Sequence, residues 1–167
     1  MTATTAARPH TAGFLDAMAA LAGGVCVVTA AGADGTPAGF TSTAVMSLSR
    51  TPQLLAIGVK QGSRTLPLLQ GGGRFALNIL AAAGESVSRR FADPTADRFG
   101  DLEWTAGDGG IPLLLAQSTY TVLCRVRQEV TAGDHLLLIA DIEEIVPGRG
   151  GDSALVHHAR AYHGVGA

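Results

Sequence analysis

Two apolar runs near the C-terminal end leave this chain little choice of topology. STYTVLCRVRQEV (118–130) and HLLLIADIEEIV (135–146) are each long enough for a full strand, and only TAGD separates them. A connection that short, with a glycine in it, turns a strand back on itself, whereas a parallel crossover needs about a dozen residues or more. The pair is therefore expected to be an antiparallel hairpin, and the remaining strands must be built around it. The rest of the chain follows the same rule. GVCVVTA (24–30) and FTSTAVMSLS (40–49) flank AGADGTPAG, in which Asp34-Gly35 is a hairpin signal. PQLLAIGVK (52–60) and RFALNIL (74–80) follow as further strands, the latter with Phe75, Leu77 and Ile79 on one face and Asn78 on the other.

Helical spacing is confined to short pieces. AGFLDAMAALAG (12–23) places Phe14, Met18 and Leu21 on one face and stops at Gly23-Gly24. GSRTLPLLQGGG (62–73) reads as a short helix capped by Ser63, with Pro67 in its first turn. GESVSRRFA (84–92) is a third helix, with Arg89 and Arg90 on a solvated face, and 93–112 reads as loop anchored by Trp104. The tail 152–163 is short and histidine-rich, with His157 and His158 read as surface residues. Six or seven hairpin-linked strands, with no βαβ rhythm and no GxGxxG, predict a mostly β protein built on a closed or partly closed antiparallel barrel.

Composition narrows the class of function. At 167 residues the chain is expected to hold one domain over 12–167, preceded by a disordered N-terminal arm at 1–11. Charged residues are only 16% of the chain against 47% hydrophobic, which predicts that a second copy covers part of the surface. A net charge of −2 with no basic patch argues against nucleic acid. No apolar stretch suits a signal peptide or a membrane span, so a cytoplasmic protein is expected. Cys26 and Cys124 are far apart in apolar runs and read as buried packing residues, and no histidine spacing suits structural zinc.

Against this apolar background stand four polar clusters: Thr41-Ser42-Thr43 with Ser47, then Ser63-Arg64-Thr65, then Asn78, and Gly133-Asp134-His135. Hydroxyls and an arginine at a helix N-terminus suit a phosphate. Small hydroxyl residues on a strand suit a polar heterocycle approached closely by backbone. Each cluster also has a plainer reading: cross-strand hydroxyl pairs, a helix cap, a polar strand face, and a hairpin histidine bonded to its own turn.

The pieces GVCVVTA, GFTSTAVMSLS, PQLLAIGV, GSRTLPLL, RFALNIL, RRFA, DRF and AGDHLLLIADI, in this order over roughly residues 14–146, resemble the flavin reductase family. The resemblance implies a mostly β fold with short helices, an antiparallel Greek-key split β-barrel that binds FMN. It implies a homodimer that holds a flavin, FMN or FAD, near the subunit boundary, oxidises NADH or NADPH, and supplies reduced flavin to a partner monooxygenase. By the same resemblance, Thr41, Ser42, Thr43 and Ala44 line the isoalloxazine and ribityl chain, with Ser47 nearby. Ser63, Arg64 and Thr65 hold the phosphate. Asn78 reaches the flavin from the adjacent strand, Phe91 and Arg90 sit at its edge, and His135 positions the nicotinamide. A flavin carrier or electron-transfer protein without reductase turnover remains the alternative, as do both flavins and both nicotinamide nucleotides.

Overall fold

The computed structural model describes residues 11–166, so all of the expected arm except Thr11 lies outside the described residues. Thr11 itself already belongs to the first helix. In chain order the elements are α1 (Thr11–Ala20), β1 (Gly23–Gly24), β2 (Cys26–Ala31), β3 (Pro37–Ser42), β4 (Val45–Arg50) and β5 (Gln53–Lys60). They continue with α2 (Leu66–Leu69), β6 (Arg74–Leu80), α3 (Glu85–Ala92), β7 (Thr105–Ala106) and β8 (Pro112–Leu113). The last four strands are β9 (Ser118–Ala132), β10 (His135–Pro147), β11 (Ala154–His158) and β12 (Ala161–Val165).

The β9–β10 hairpin forms as its sequence demands, with Gly133 at φ 62° in the turn, and it is the centre of a seven-stranded antiparallel sheet. The strand order is β3-β2-β6-β9-β10-β5-β4. Inward residues alternate along the strands: Val28 and Ala30 on β2, Phe75 and Leu77 on β6, Cys124 and Val126 on β9, Leu138 and Ala140 on β10, Leu55 and Ile57 on β5. All of them belong to one buried cluster, against which Phe40 of β3 and Val45 of β4 also pack. Strands from both halves of one sheet can share a core only if the sheet is curled around its own face. Register shifts in β9–β10 near Ile139 and Ile142 supply bends of the kind that permit such curling. The hydrogen bonding does not close the sheet, because β3 and β4 are its two end strands.

That arrangement corrects the single strand expected over 40–49. The run FTSTAVMSLS breaks at Thr43-Ala44, which links the first strand of the sheet to the last. The expected strand at 24–30 is also shared, its first residues joining β11 and β12 in a separate three-stranded sheet. The histidine-rich tail is thus a hairpin, whose turn residues Ala159 and Arg160 both have positive φ. The helix expected over 62–73 is a single turn of four residues, with Thr65 at its N-cap. Phe14, Met18 and Leu21 are 56%, 49% and 69% exposed, so the helix does not bury this apolar face among the described residues.

Helix α3 packs on the outer side of the sheet through Val87 and Phe91, in a second cluster with Val25, Val27 and Leu155. Phe91 meets Phe99 edge to face at 5.0 Å, and Phe99 meets Trp104 at 6.3 Å, which anchors the long loop as expected. Both cysteines are free and buried, and burial pushes their thiols up to about 12, so they act as packing groups. Among the described residues no helix is long and apolar enough to cross a membrane, and no His/Cys/Asp/Glu group has the arrangement of a metal site.

Gly39 on β3 is a point of close approach between α3 and the sheet. A Cβ there would lie 2.7 Å from the Val28 carbonyl oxygen and 2.9 Å from Cε1 of Phe91. Overpacking of this kind costs about 1–3 kcal/mol. Gly39→Ala should therefore lower the thermal midpoint by roughly 2–4 °C for each kcal/mol, and an unchanged melting curve would contradict this packing.

Candidate functional site

The corner between β3 and β4 is built by its own hydroxyls. Thr41 Oγ1 donates to the Ser88 carbonyl of α3 at 2.6 Å. The buried Ser42 Oγ accepts from the Ala44 N–H at 3.1 Å, and the Ala44 carbonyl accepts from the Gly58 N–H of β5 at 2.8 Å. These bonds satisfy backbone groups at the point where the ladder ends. They leave Thr43 and Ala44 exposed in the wall of a cavity of about 470 Å³. Met18, Leu21, Gly23, Gly24 and His157 are among the other residues of that wall. A Cβ on Gly24 would meet nothing within 4 Å.

A second cavity, of about 320 Å³, lies at the other end of β3. Pro37, Ala38 and Gly39 form one wall, and Arg64, Thr65, Arg98 and Phe99 the other. Arg98 donates to the Gly39 carbonyl at 2.6 Å and, through Nε and Nη2, to the Asp93 carbonyl. Arg64 donates to the next carbonyl, that of Pro94, at 2.9 Å. Two guanidinium groups are therefore fixed side by side. Burial, and then the neighbouring Arg64 charge, lower the Arg98 guanidinium from its ordinary value. A pair of like charges held this way suits an anion, although the Asp97 carboxylate also belongs to the lining.

Several expected site residues have other work. Asn78 is fully buried, and its carboxamide is saturated. Nδ2 donates to the Val27 carbonyl and Thr29 Oγ1, each at 3.0 Å, while Oδ1 accepts from the Leu114 N–H at 2.8 Å and Thr121 Oγ1 at 3.0 Å. No polar atom is left to reach a ligand, so Asn78 ties β2, β6, β9 and the loop before β9 together. Phe91 is fully buried against Gly39 and Phe99, not at a ligand's edge. Arg90 is paired with Asp101 at 2.6 Å. Ser47 lies nearby, as expected, in an adjoining apolar opening that shares Gly24 and Val45 with the corner cavity. Ser63 accepts from the Thr65 N–H at 3.3 Å, but the four-residue α2 gives this loop no substantial helix dipole, so the arginines carry the positive charge. His135 bonds to the carboxylate of its neighbour Asp134 at 2.8 Å, and that bond holds the Asp134 carboxyl below its usual range. It lines neither cavity along β3.

Arg98 and His157 line the two cavities, and neither was among the expected site residues. Arg98 stands inside DRF, one of the pieces that carries the family resemblance, and an arginine between Asp97 and Phe99 was the available signal. His157 had none, because its place depends on the pairing of β11 with β1.

The family model described as flavin reductase like domain matches residues 18–166. The chain belongs to this family. As a flavin reductase-like domain it is 41% identical over 150 residues to a flavin reductase (NADH) of Kitasatospora aureofaciens, covering 89% of this chain and 78% of that protein. It is 36% identical over 147 residues to the reductase component of a flavin-dependent trigonelline monooxygenase of Acinetobacter baylyi, covering 88% of this chain and 46% of that longer protein. Among solved structures, the styrene monooxygenase flavin reductase of Pseudomonas putida S12 superposes with a TM-score of 0.82 at 27% identity, over 92% of this chain and 97% of that one.

The saturated network makes a sharp prediction for this domain. Asn78→Ala leaves several buried donors and acceptors unpaired, each costing about 1–3 kcal/mol. Chemical denaturation should show a loss of roughly 3 kcal/mol or more. Flavin affinity of the protein that remains folded should hold, and a fully stable variant with weakened flavin binding would return Asn78 to the site.

Proposed function

We propose that this chain is an NAD(P)H-dependent flavin reductase, a single domain over residues 12–167, that reduces FMN or FAD for use by a partner monooxygenase. The observation that carries the reading is that β3 joins the two cavities. Gly39 and Thr43 stand four positions apart, about 13 Å along an extended strand, a span that a ribityl chain between a ring and a phosphate can bridge. The donor set fits such a ligand: paired arginines at one end, and backbone with small side chains at the other. The relatives' names, which include NADH-dependent flavin reductases and monooxygenase reductase components, support the same reading.

A flavin held along β3 would supply the redox chemistry of the reaction. The chain's own part is to bind, orient and exclude water. Arg64 and Arg98 would hold the flavin phosphate. The Thr43-Ala44 corner, rigid through Ser42 and Gly58, lets the backbone come close to a flat ring and stabilise its charge without a titrating group. The curled sheet, split between β3 and β4, fits the split-barrel architecture implied by the resemblance. Phe14, Leu15 and Met18 on α1, with Met46 and Leu48 on β4, are exposed apolar residues on elements around the corner. A second copy covering them makes the homodimer, and sedimentation of an active 17.0 kDa monomer at micromolar concentration would refute it.

The test is direct. Purified protein mixed with NADH and free flavin should consume the nicotinamide absorbance catalytically, whereas flavin binding without that loss would mean a carrier. Arg64→Ala combined with Ser63→Ala should weaken flavin binding roughly tenfold or more, since a charge-assisted contact is worth about 1.5–3 kcal/mol. Both positions lie in an accessible loop, so the apo melting temperature should move little. A large stability loss with unchanged flavin affinity would remove the phosphate role.

A further inference from the structure

We propose that α1 is a latched lid over the corner cavity, held shut by Arg160 through Asp16, and that it sets how fast flavin enters and leaves. The proposal rests on the flavin reductase reading above, which requires reduced flavin to be released to a partner.

Helix α1 has little holding it to the body of the protein. Among the described residues, none of its side chains belongs to a buried apolar cluster. Leu21 and Ala22 alone connect it to β1. Yet Met18, and Leu21 just beyond the helix, line the cavity that Thr43 and Ala44 border. The helix therefore walls the space proposed for the flavin ring while burying almost no apolar surface of its own. Elements of that kind open at low cost, and lids over ligand sites are drawn from them.

Two contacts tie the helix down, and both come from the turn between β11 and β12. The Ala159 N–H donates to the Ala19 carbonyl at 2.7 Å, satisfying one of the acceptors that a helix C-terminus leaves free. Arg160 Nη2 donates to Asp16 Oδ1 at 2.6 Å. Asp16 is the only charged residue of α1. Among the described residues, Ala159 and Arg160 are the only non-glycine positions with positive φ, at 51° and 62°. A two-residue hairpin loop demands that conformation at both positions and usually fills it with Asn-Gly. Glycine at 160 would relieve the strain but leave Asp16 without its partner. Backbone strain of this kind gathers at switches and ligand clamps, where the surroundings hold it in place. The paired side chains are 63% and 70% exposed, so the latch is weak enough to open repeatedly.

The experiment follows flavin fluorescence as FMN is rapidly mixed with the unaltered protein, Asp16→Arg, Arg160→Asp, the two reversals combined, and Arg160→Gly. Association and dissociation rate constants come from the dependence on FMN concentration, and melting temperature and sedimentation are measured alongside. A latch that closes over the empty and the loaded site alike slows both directions equally. Each single reversal and Arg160→Gly should therefore raise both rate constants together, about two- to fivefold, with the dissociation constant unchanged. Combining the reversals should bring the rates back toward those of the unaltered protein. Arg160→Gly should not melt markedly lower, because glycine relaxes the turn; a purely structural turn would accept this glycine with no change in exchange rates. Equal rates in all five proteins would overturn the proposal. So would a rise in dissociation alone with a matching loss of affinity, no recovery in the combined reversal, or rates that change only where sedimentation changes. If the unaltered protein shows no saturable FMN binding, the underlying reading fails, and that result is distinct from all of these.

Discussion

Two residues, Thr43 and Ala44, join the first and last strands of a seven-stranded sheet. A flat sheet cannot satisfy so short a link, because its outer strands would stand about 4.8 Å per step apart across the whole sheet. The sheet must curl until its ends share a corner, and the curl is what gives strands from both halves a common apolar core. It also leaves two strand ends whose backbone groups have no ladder partner. The hydroxyl run answers that need. Ser42 caps the Ala44 N–H, Thr41 bonds across to α3, and Gly58 bonds the Ala44 carbonyl. Larger apolar side chains would offer the corner no such bonds and would fill the space beside it.

The same constraint places the candidate site. Because β3 ends at the corner and begins beside the loop that carries Arg98, one strand borders both a cavity of small and apolar residues and a cavity with two guanidinium groups. Arg64 and Arg98 donate to successive carbonyls of one loop, so their charges cannot move apart without breaking those bonds. An anion placed between them would relieve their mutual repulsion, while the corner is held by its own hydrogen bonds without any ligand. Preorganisation of this kind lets binding energy go into orientation and not into ordering the site.

Features governed by local pattern were legible in the sequence. The β9–β10 hairpin, the alternation in RFALNIL and the helix at α3 follow from residue spacing, and the structure keeps them. The corner was not legible, since FTSTAVMSLS alternates well enough to read as one strand and its break is imposed by closure of the distant β-strands. Asn78 illustrates the same limit. A polar residue on a strand suggests a ligand or solvent, yet its partners Thr29, Leu114 and Thr121 come from three other segments. The tail hairpin escaped notice because its turn residues are alanine and arginine at positive φ, without the usual glycine or asparagine. Arg98 was visible as a letter in DRF, but its pairing with Arg64 arises only when the loop at 93–99 folds over β3.

We propose that a flavin lies along β3, from the paired arginines to the Thr43-Ala44 corner. Its most direct test is the change in backbone amide and arginine side-chain resonances as FMN is added to the isotope-labelled apo protein. The account predicts shifts concentrated at Gly39 to Val45, at Arg64 and at Arg98, with the region around Tyr120 and Arg149 quiet. Saturable FMN binding that leaves both the corner and the two arginines unmoved would contradict it.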